Sequence, residues 1–297
     1  MIDDDKSFSV FRSGEDSGAM KKRLAKAIFI IVPIVLLLFA TTRYRPNVVP
    51  SISANGVKLR AYYINLSSRH DRRVKIEGEL KLLRVPVTRV EAVDVRSNNT
   101  ELADCRGDGS MGERNMKTCA GKIGCRLSHL KALKLAMLEK ADLIAVFEDD
   151  FEWSTQIDPA TVAPALLHLE KKFPTWDVVG LSMHVREYSP IDPEQKIVLG
   201  PQKEVKMLKV HDALKTHAYV VRYAYLPRLI ATFEACDVKS HYEGAIDRCW
   251  ISLQKADEWY GFFSQLGLQT PGFSDIEKDF KNYTFHTRPP GRKKKGG

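Results

Sequence analysis

Cysteine is scarce: the chain has five in 297 residues, and no two form a CxxC pair, which excludes a disulfide-stapled scaffold and a zinc ribbon. The odd number leaves at least one thiol unpaired. No segment repeats at a period of about 20–50 residues, so solenoids and propellers are disfavoured. Long apolar runs are absent but for one, which rules out a multispan transporter. Acid is in deficit, with 37 Asp and Glu against 46 Lys and Arg, a net charge of +9. Much of that excess flanks the apolar run or lies in the terminal RKKK. Attraction to lipid head groups or other polyanions accounts for it there, and no nucleic-acid partner is expected. Core material is ample: 44% of residues are hydrophobic, too many for a disordered chain and enough for one large α/β unit with appendages.

The apolar run from Ala27 to Thr42 (AIFIIVPIVLLLFATT) carries no charge. As a helix it extends ~24 Å, short of a ~30 Å hydrocarbon core, and snorkelling by Lys26 and Arg43 narrows the gap. Pro33 adds a kink. A cleaved signal peptide is the competing reading. The long leader and the lack of a clear small-x-small cleavage site favour an uncleaved anchor. Lys21, Lys22, Arg23 and Lys26 crowd the N-terminal flank more densely than Arg43, Arg45, Lys58 and Arg60 crowd the other, so the N-terminus is expected to stay cytoplasmic. The expected organisation is a cytoplasmic tail over 1–23, a transmembrane signal-anchor over 24–42, a stem over 43–58, one folded domain over 59–285 and a basic tail over 286–297. That describes a single-pass type II membrane protein with its domain in the ER or Golgi lumen, or an inner-membrane protein if the chain is bacterial.

Within the domain, Arg60 to Leu66 (RAYYINL) reads as a buried strand, His70 to Leu83 as a helix and Val87 to Val93 as extended chain, the opening of a βαβ unit. Leu127 to Lys140 has Leu127, Leu130, Leu133, Met137 and Ala141 near one helical face, and LIAVF from Leu143 to Phe147 follows as a strand buried on both faces. Val178 to Met183 and His217 to Val221 are further strands, with a helix near Leu226 to Ala235. Alternating helix and apolar strand predicts an α/β fold with a mainly parallel sheet covered on both sides. Asn98 to Ala120, rich in Gly, Asp and Asn, reads as a long surface loop. Cys105 and Cys119 flank that loop and can pair, a matter that spacing alone leaves open.

The sharpest chemical feature is Glu148-Asp149-Asp150 at the end of the LIAVF strand. Adjacent carboxylates repel one another unless solvent or a cation relieves them. In open α/β sheets ligands bind beyond the carboxyl ends of strands, where magnesium or manganese is held by carboxylate oxygens and those of a bound phosphate. EDD triplets also occur at solvated strand ends, and context decides. Ile64-Asn65-Leu66 is followed by Asp71-Arg72-Arg73, then by Gly124-Cys125-x-x-Ser128-His129, then by Glu148-Asp149-Asp150, with His217-Ala218-Tyr219 and Ile246-Asp247 later. This ordered set, over about residues 60 to 277, resembles glycosyltransferase family 25, which groups lipopolysaccharide galactosyltransferases with collagen galactosyltransferases.

The resemblance implies a GT-A-type, Rossmann-like domain that moves a sugar, galactose by family analogy, from a UDP-sugar to a hydroxyl of a glycan, glycolipid or glycoprotein acceptor. Inversion by direct displacement is expected, with Asp247 as general base and Glu243 in reserve. A divalent manganese or magnesium ion is assigned to Asp150, Glu148 and His217, and contact with the nucleotide sugar to Asn65, Arg72, Ser128, His129, Glu148 and Asp149. A protein of the same fold that binds sugar without turnover is the alternative, and the intact triplet argues against it. Trp250, Trp259, Tyr260, Phe262 and Phe263 can stack on sugar rings, but at this density they read first as core.

Overall fold

A computed structural model describes residues 53–54, 56–95, 113–191, 196–199, 204–236, 245–274 and 279–281. The chain divides into two units, residues 1–48 and 49–297, and every described residue belongs to the second. The expected anchor over 24–42, the reserve base Glu243 and Cys105 lie outside the described residues. Among the described residues no helix is long and apolar enough to cross a membrane.

The first strands are β1 (Ser53–Ala54), β2 (Val57–Asn65) and β3 (Val87–Glu91), with helix α1 (His70–Lys81) between the last two. Helix α2 (Glu113–Glu139) leads into β4 (Leu143–Glu148), short β5 (Phe151–Trp153) and helix α3 (Pro159–Lys172). Long strands β6 (Val178–Pro190) and β8 (Glu204–Arg222) enclose short β7 (Lys196–Val198). Then come α4 (Leu226–Glu234), α5 (Ile246–Cys249), α6 (Ile251–Ala256), β9 (Trp259–Phe262), β10 (Gly267–Gln269), β11 (Gly272–Ser274) and β12 (Asp279–Lys281).

The main sheet is mixed. β2 pairs in parallel with β3 and with β4, whereas β8 runs antiparallel between β4 and β6, and β6 pairs in parallel with β9. The parallel sheet expected from the alternation of elements is thus confined to the βαβ half and to β6–β9. An antiparallel β8 sits in the middle because no helix intervenes between β6 and β8, and a strand that returns without a crossover must reverse direction. Strand alternation divides the core. Leu143, Ala145 and Phe147 pack with Ile76 and Leu80 of α1 and with Val162, Leu166 and Leu167 of α3. Ile144 and Val146 face Leu130, Leu133 and Ala136 of α2, with Leu229 and Phe233 of α4 and Trp250 and Trp259 behind. Burial on both faces is why β4 is an unbroken apolar run.

Two readings are corrected. Helix α2 begins at Glu113, so the C-terminal part of the loop predicted over Asn98 to Ala120 is helical. Its first turns show no apolar period, and Cys119, Ala120 and Ile123 find their partners, Val95 and Cys236, in remote parts of the chain. His217 does not begin a strand but lies deep within β8, whose polar first half alternates in register with β6. Trp250 and Trp259 are fully buried in one core cluster, and Tyr260 and Phe262 are buried in the other, so the aromatic run is core, with Phe263 exposed. Cys236 and Cys249 form a disulfide, Cys119 is also disulfide-bonded, and Cys125 is the free thiol among the described cysteines.

Candidate active site

The carboxyl ends of β2 and β4 open onto a cavity of about 370 Å³. Ile64 and Leu66 reach it from β2 and its end, Ala92 to Val95 from the chain after β3, Ser128 and His129 from α2, and Asp247 from α5. Close approach of α2 depends on Gly124: a Cβ there would stand 2.7 Å from the Val93 carbonyl oxygen. Ser128 completes the seam, its hydroxyl donating to the Gly124 carbonyl at 2.6 Å and accepting from Val93 N–H at 2.8 Å. Gly124 and Ser128 of the GCxxSH motif therefore fix the wall of the cavity.

The three carboxylates of the triplet take three directions because β4 ends at Glu148 and the next two residues form a turn. Glu148 Oε1 accepts from Thr216 Oγ1 at 2.6 Å and lies 3.2 Å from His129 Nε2. These contacts hold its carboxyl down at about 2 against the burial that opposes ionisation. Asp149 accepts from Asn65 Nδ2 at 2.8 Å and from Arg72 Nη1 at 2.9 Å. Asp150 accepts from Gln269 Nε2 at 2.9 Å, and the Arg72 guanidinium stands 3.8 Å away. Burial, then the charge of Glu148, pushes Asp150 up to about 7. The backbone oxygen of Asp150 accepts from Thr270 N–H at 2.8 Å and from Thr270 Oγ1 at 2.7 Å, which locks the turn.

Two acceptors here have no hydrogen-bond partner: Asp150 Oδ1 and His217 Nδ1. The Ser182 hydroxyl donates to the Gly267 carbonyl at 2.5 Å, so it accepts from His217 Nε2–H at 2.8 Å. That assigns the tautomer and leaves Nδ1 a bare lone pair. Burial, then the neighbouring Lys215 charge, pushes His217 down to about 3, so the ring is neutral. A carboxylate oxygen and a neutral imidazole nitrogen, both buried and both lacking a proton donor, suit a divalent cation. Cys125, His129 and Glu148 also place ligand atoms within 4.8 Å of one another. There, however, His129 and Glu148 satisfy each other, and burial raises the Cys125 thiol well above its ordinary value.

The structure thus gathers Arg72, Ser128, His129, Glu148, Asp149, Asp150, His217 and Asp247 around one cavity. Asn65 stands behind it, holding Asp149. His129 is fully buried between Glu148 and the Tyr219 hydroxyl, 3.1 Å from Nδ1, and orients Glu148. Asp247 Oδ2 accepts from Lys215 N–H at 2.9 Å, and burial raises its carboxyl. Sequence reasoning missed Lys215 and Thr216. They directly precede the His217-Ala218-Tyr219 landmark, and the β6–β8 register shifts across them, an irregularity no periodicity announces.

Residues 58–239 match the family described as glycosyltransferase family 25 (LPS biosynthesis protein). The chain belongs to that family, and it is a glycosyltransferase. No curated protein matches it. Among solved structures, it is similar to protein A197 from STIV at 11% identity and a TM-score of 0.34, over 75% of this chain and 93% of that one. A UDP-glucose pyrophosphorylase complexed with UDP-glucose is similar at 11% identity and a TM-score of 0.37, over 69% and 90% of the two chains.

Proposed function

We propose that this protein is a membrane-anchored, metal-assisted transferase of GT-A type that moves a hexose, galactose by family analogy, from a UDP-sugar to an acceptor hydroxyl on a glycan, glycolipid or glycoprotein, with inversion. The observation that carries the reading is that two residues lining one cavity, Asp150 and His217, each keep a buried acceptor without a partner, Oδ1 and Nδ1. A manganese or magnesium ion held by Asp150 and His217 would supply Lewis-acid neutralisation of the donor's diphosphate, while Glu148 is held by Thr216 and His129. Arg72, oriented by Asp149 and by the Phe273 carbonyl at 2.8 Å, adds a fixed positive charge on the same side.

In the reaction the acceptor oxygen attacks the anomeric carbon, the bond from that carbon to the diphosphate oxygen breaks, and its electron pair leaves with UDP. The acceptor proton passes to Asp247. The burial that raises this carboxyl makes it a better base than an exposed aspartate, and its bond from Lys215 N–H aims it. The uncharged run from Ala27 to Thr42 and the basic cluster before it support a type II anchor, with the 59–285 domain in the ER or Golgi lumen or, in a bacterium, at the inner membrane.

The test is donor turnover by the detergent-solubilised full chain. UDP release from a panel of UDP-sugars is measured with manganese and with EDTA, for wild type and for Asp150→Ala and His217→Ala. Manganese-dependent release that both substitutions abolish is expected. Donor binding without release across acceptors would instead mark a sugar-binding protein, and no binding at all would refute the assignment.

A further inference from the structure

Lys215 has a backbone that a lysine does not adopt for free. Its φ is +72°, in the left-handed region where a Cβ crowds the following carbonyl. Of the four non-glycine residues with positive φ among the described residues, Arg84 and Lys140 follow helix ends and Ser264 lies in a loop, whereas Lys215 lies inside a strand. Around it β8 advances by four residues, from Leu214 to Ala218, while β6 advances by two, from His184 to Ser182. This bulge re-aims three consecutive residues at the cavity. Lys215 N–H donates to Asp247, Thr216 Oγ1 donates to Glu148, and His217 presents Nδ1.

Lys215 lines the cavity, and its ammonium lies within the field of the Asp150, Glu148 and Asp247 carboxylates. Glycine would hold the same backbone without strain, so the conformation alone does not call for lysine, and a strained residue in a cavity points to a use for its side chain. Arg72 is already committed to Asp149 and the Phe273 carbonyl. A nucleoside diphosphate entering among these carboxylates would be repelled by them, and the Lys215 ammonium, a compact point charge on a four-carbon stem, is of the type that meets a phosphate.

We propose that Lys215 is the side chain that binds the terminal phosphate of the donor's diphosphate and holds that charge as the leaving group departs. The assignment rests on the nucleotide-sugar reading above. It predicts selectivity for the second phosphate: removing the ammonium weakens UDP and spares UMP.

The experiment is calorimetric titration of UDP and UMP into the solubilised full chain with manganese present, for wild type, Lys215→Met, Lys215→Gly and Lys215→Arg, with melting temperatures recorded alongside. Lys215→Met is expected to lower UDP affinity about 10-fold or more, the range of a charge-assisted hydrogen bond, and UMP affinity less than about 2-fold. Lys215→Gly should show the same selective loss while melting no lower than wild type, since it relieves the backbone, and Lys215→Arg should keep most of the UDP affinity. Equal losses for UDP and UMP, or none, overturn the assignment and leave Lys215 a charge balance for the acidic cluster. Wild type binding neither nucleotide would overturn the functional reading and this assignment with it, whereas UMP binding by wild type and variants alike separates the two.

Discussion

Asp150 is expected to limit the stability of the ion-free protein, and Asp150→Asn exposes this through a pH-dependent difference. The carboxyl moves from an ordinary 3.8 to about 7, first because it is buried and then because Glu148 is charged beside it. A native-state value above the unfolded one means that the folded protein binds this proton more tightly. The associated stability is fully present below the unfolded value and is lost as pH rises through about 7. A shift of about three pH units corresponds to on the order of 4 kcal/mol at pH 8. The asparagine amide would place an N–H pair where Oδ1 has no partner, which offsets about 1–2 kcal/mol. The variant should therefore be slightly less stable than wild type near pH 4.5 and more stable by about 2–3 kcal/mol near pH 8, roughly 4–10 °C in melting temperature for a domain of this size. His217, held down at about 3, works in the opposite sense, adding stability as pH rises toward 6.5, but it is present in both proteins and cancels in the difference. Thermal melts in EDTA across this range measure the gap. Manganese should narrow it by stabilising wild type, if Asp150 ligates the ion. Parallel curves, or a gap that opens toward wild type at high pH, would refute the reasoning.

Asp247→Asn keeps an oxygen for Lys215 N–H and removes the base, so transfer should fall about 10²–10⁴-fold with donor affinity unchanged, read by turnover against UDP titration. Gly124→Ala drives a Cβ to 2.7 Å from the Val93 carbonyl and should cost about 1–3 kcal/mol in urea unfolding; wild-type stability would show that the seam yields. The Cys236–Cys249 bridge has a sequence separation of 13 and fastens α5, which bears Asp247, near the end of α4. Replacing both cysteines by serine should lower stability by about 3 kcal/mol, with a larger fractional loss of turnover than Gly124→Ala at matched temperature below the melt.

Much of the fold was legible from local signals. LIAVF is apolar without alternation, and β4 is buried on both faces. The strand and helix at Arg60 and His70 appear at those positions because apolar and charged blocks succeed each other there. Helix α3 was harder to see, since Pro159 and Pro164 sit inside a pattern that Asp158 nonetheless caps through Ala160 N–H at 3.1 Å. The polar halves of β6 and β8 offer no apolar signal, and only their pairing with each other makes them strands.

The amino-acid order alone determined the class of protein, because the INL, DRR, GCxxSH and EDD segments stand at strand ends or on helices that local pattern can place, and with HAY, inside β8, they fall within the stretch that matches the family. Tertiary structure decided which of those groups are satisfied and which remain open. His129 proved to be a support for Glu148 and Asn65 a support for Asp149, while Asp150 and His217 kept unpartnered acceptors. Lys215 entered the cavity through a bulge. The physical reason is that hydrogen-bond satisfaction and burial depend on partners up to 201 residues away, as in the bond from Arg72 to the Phe273 carbonyl, and no local period encodes such a distance.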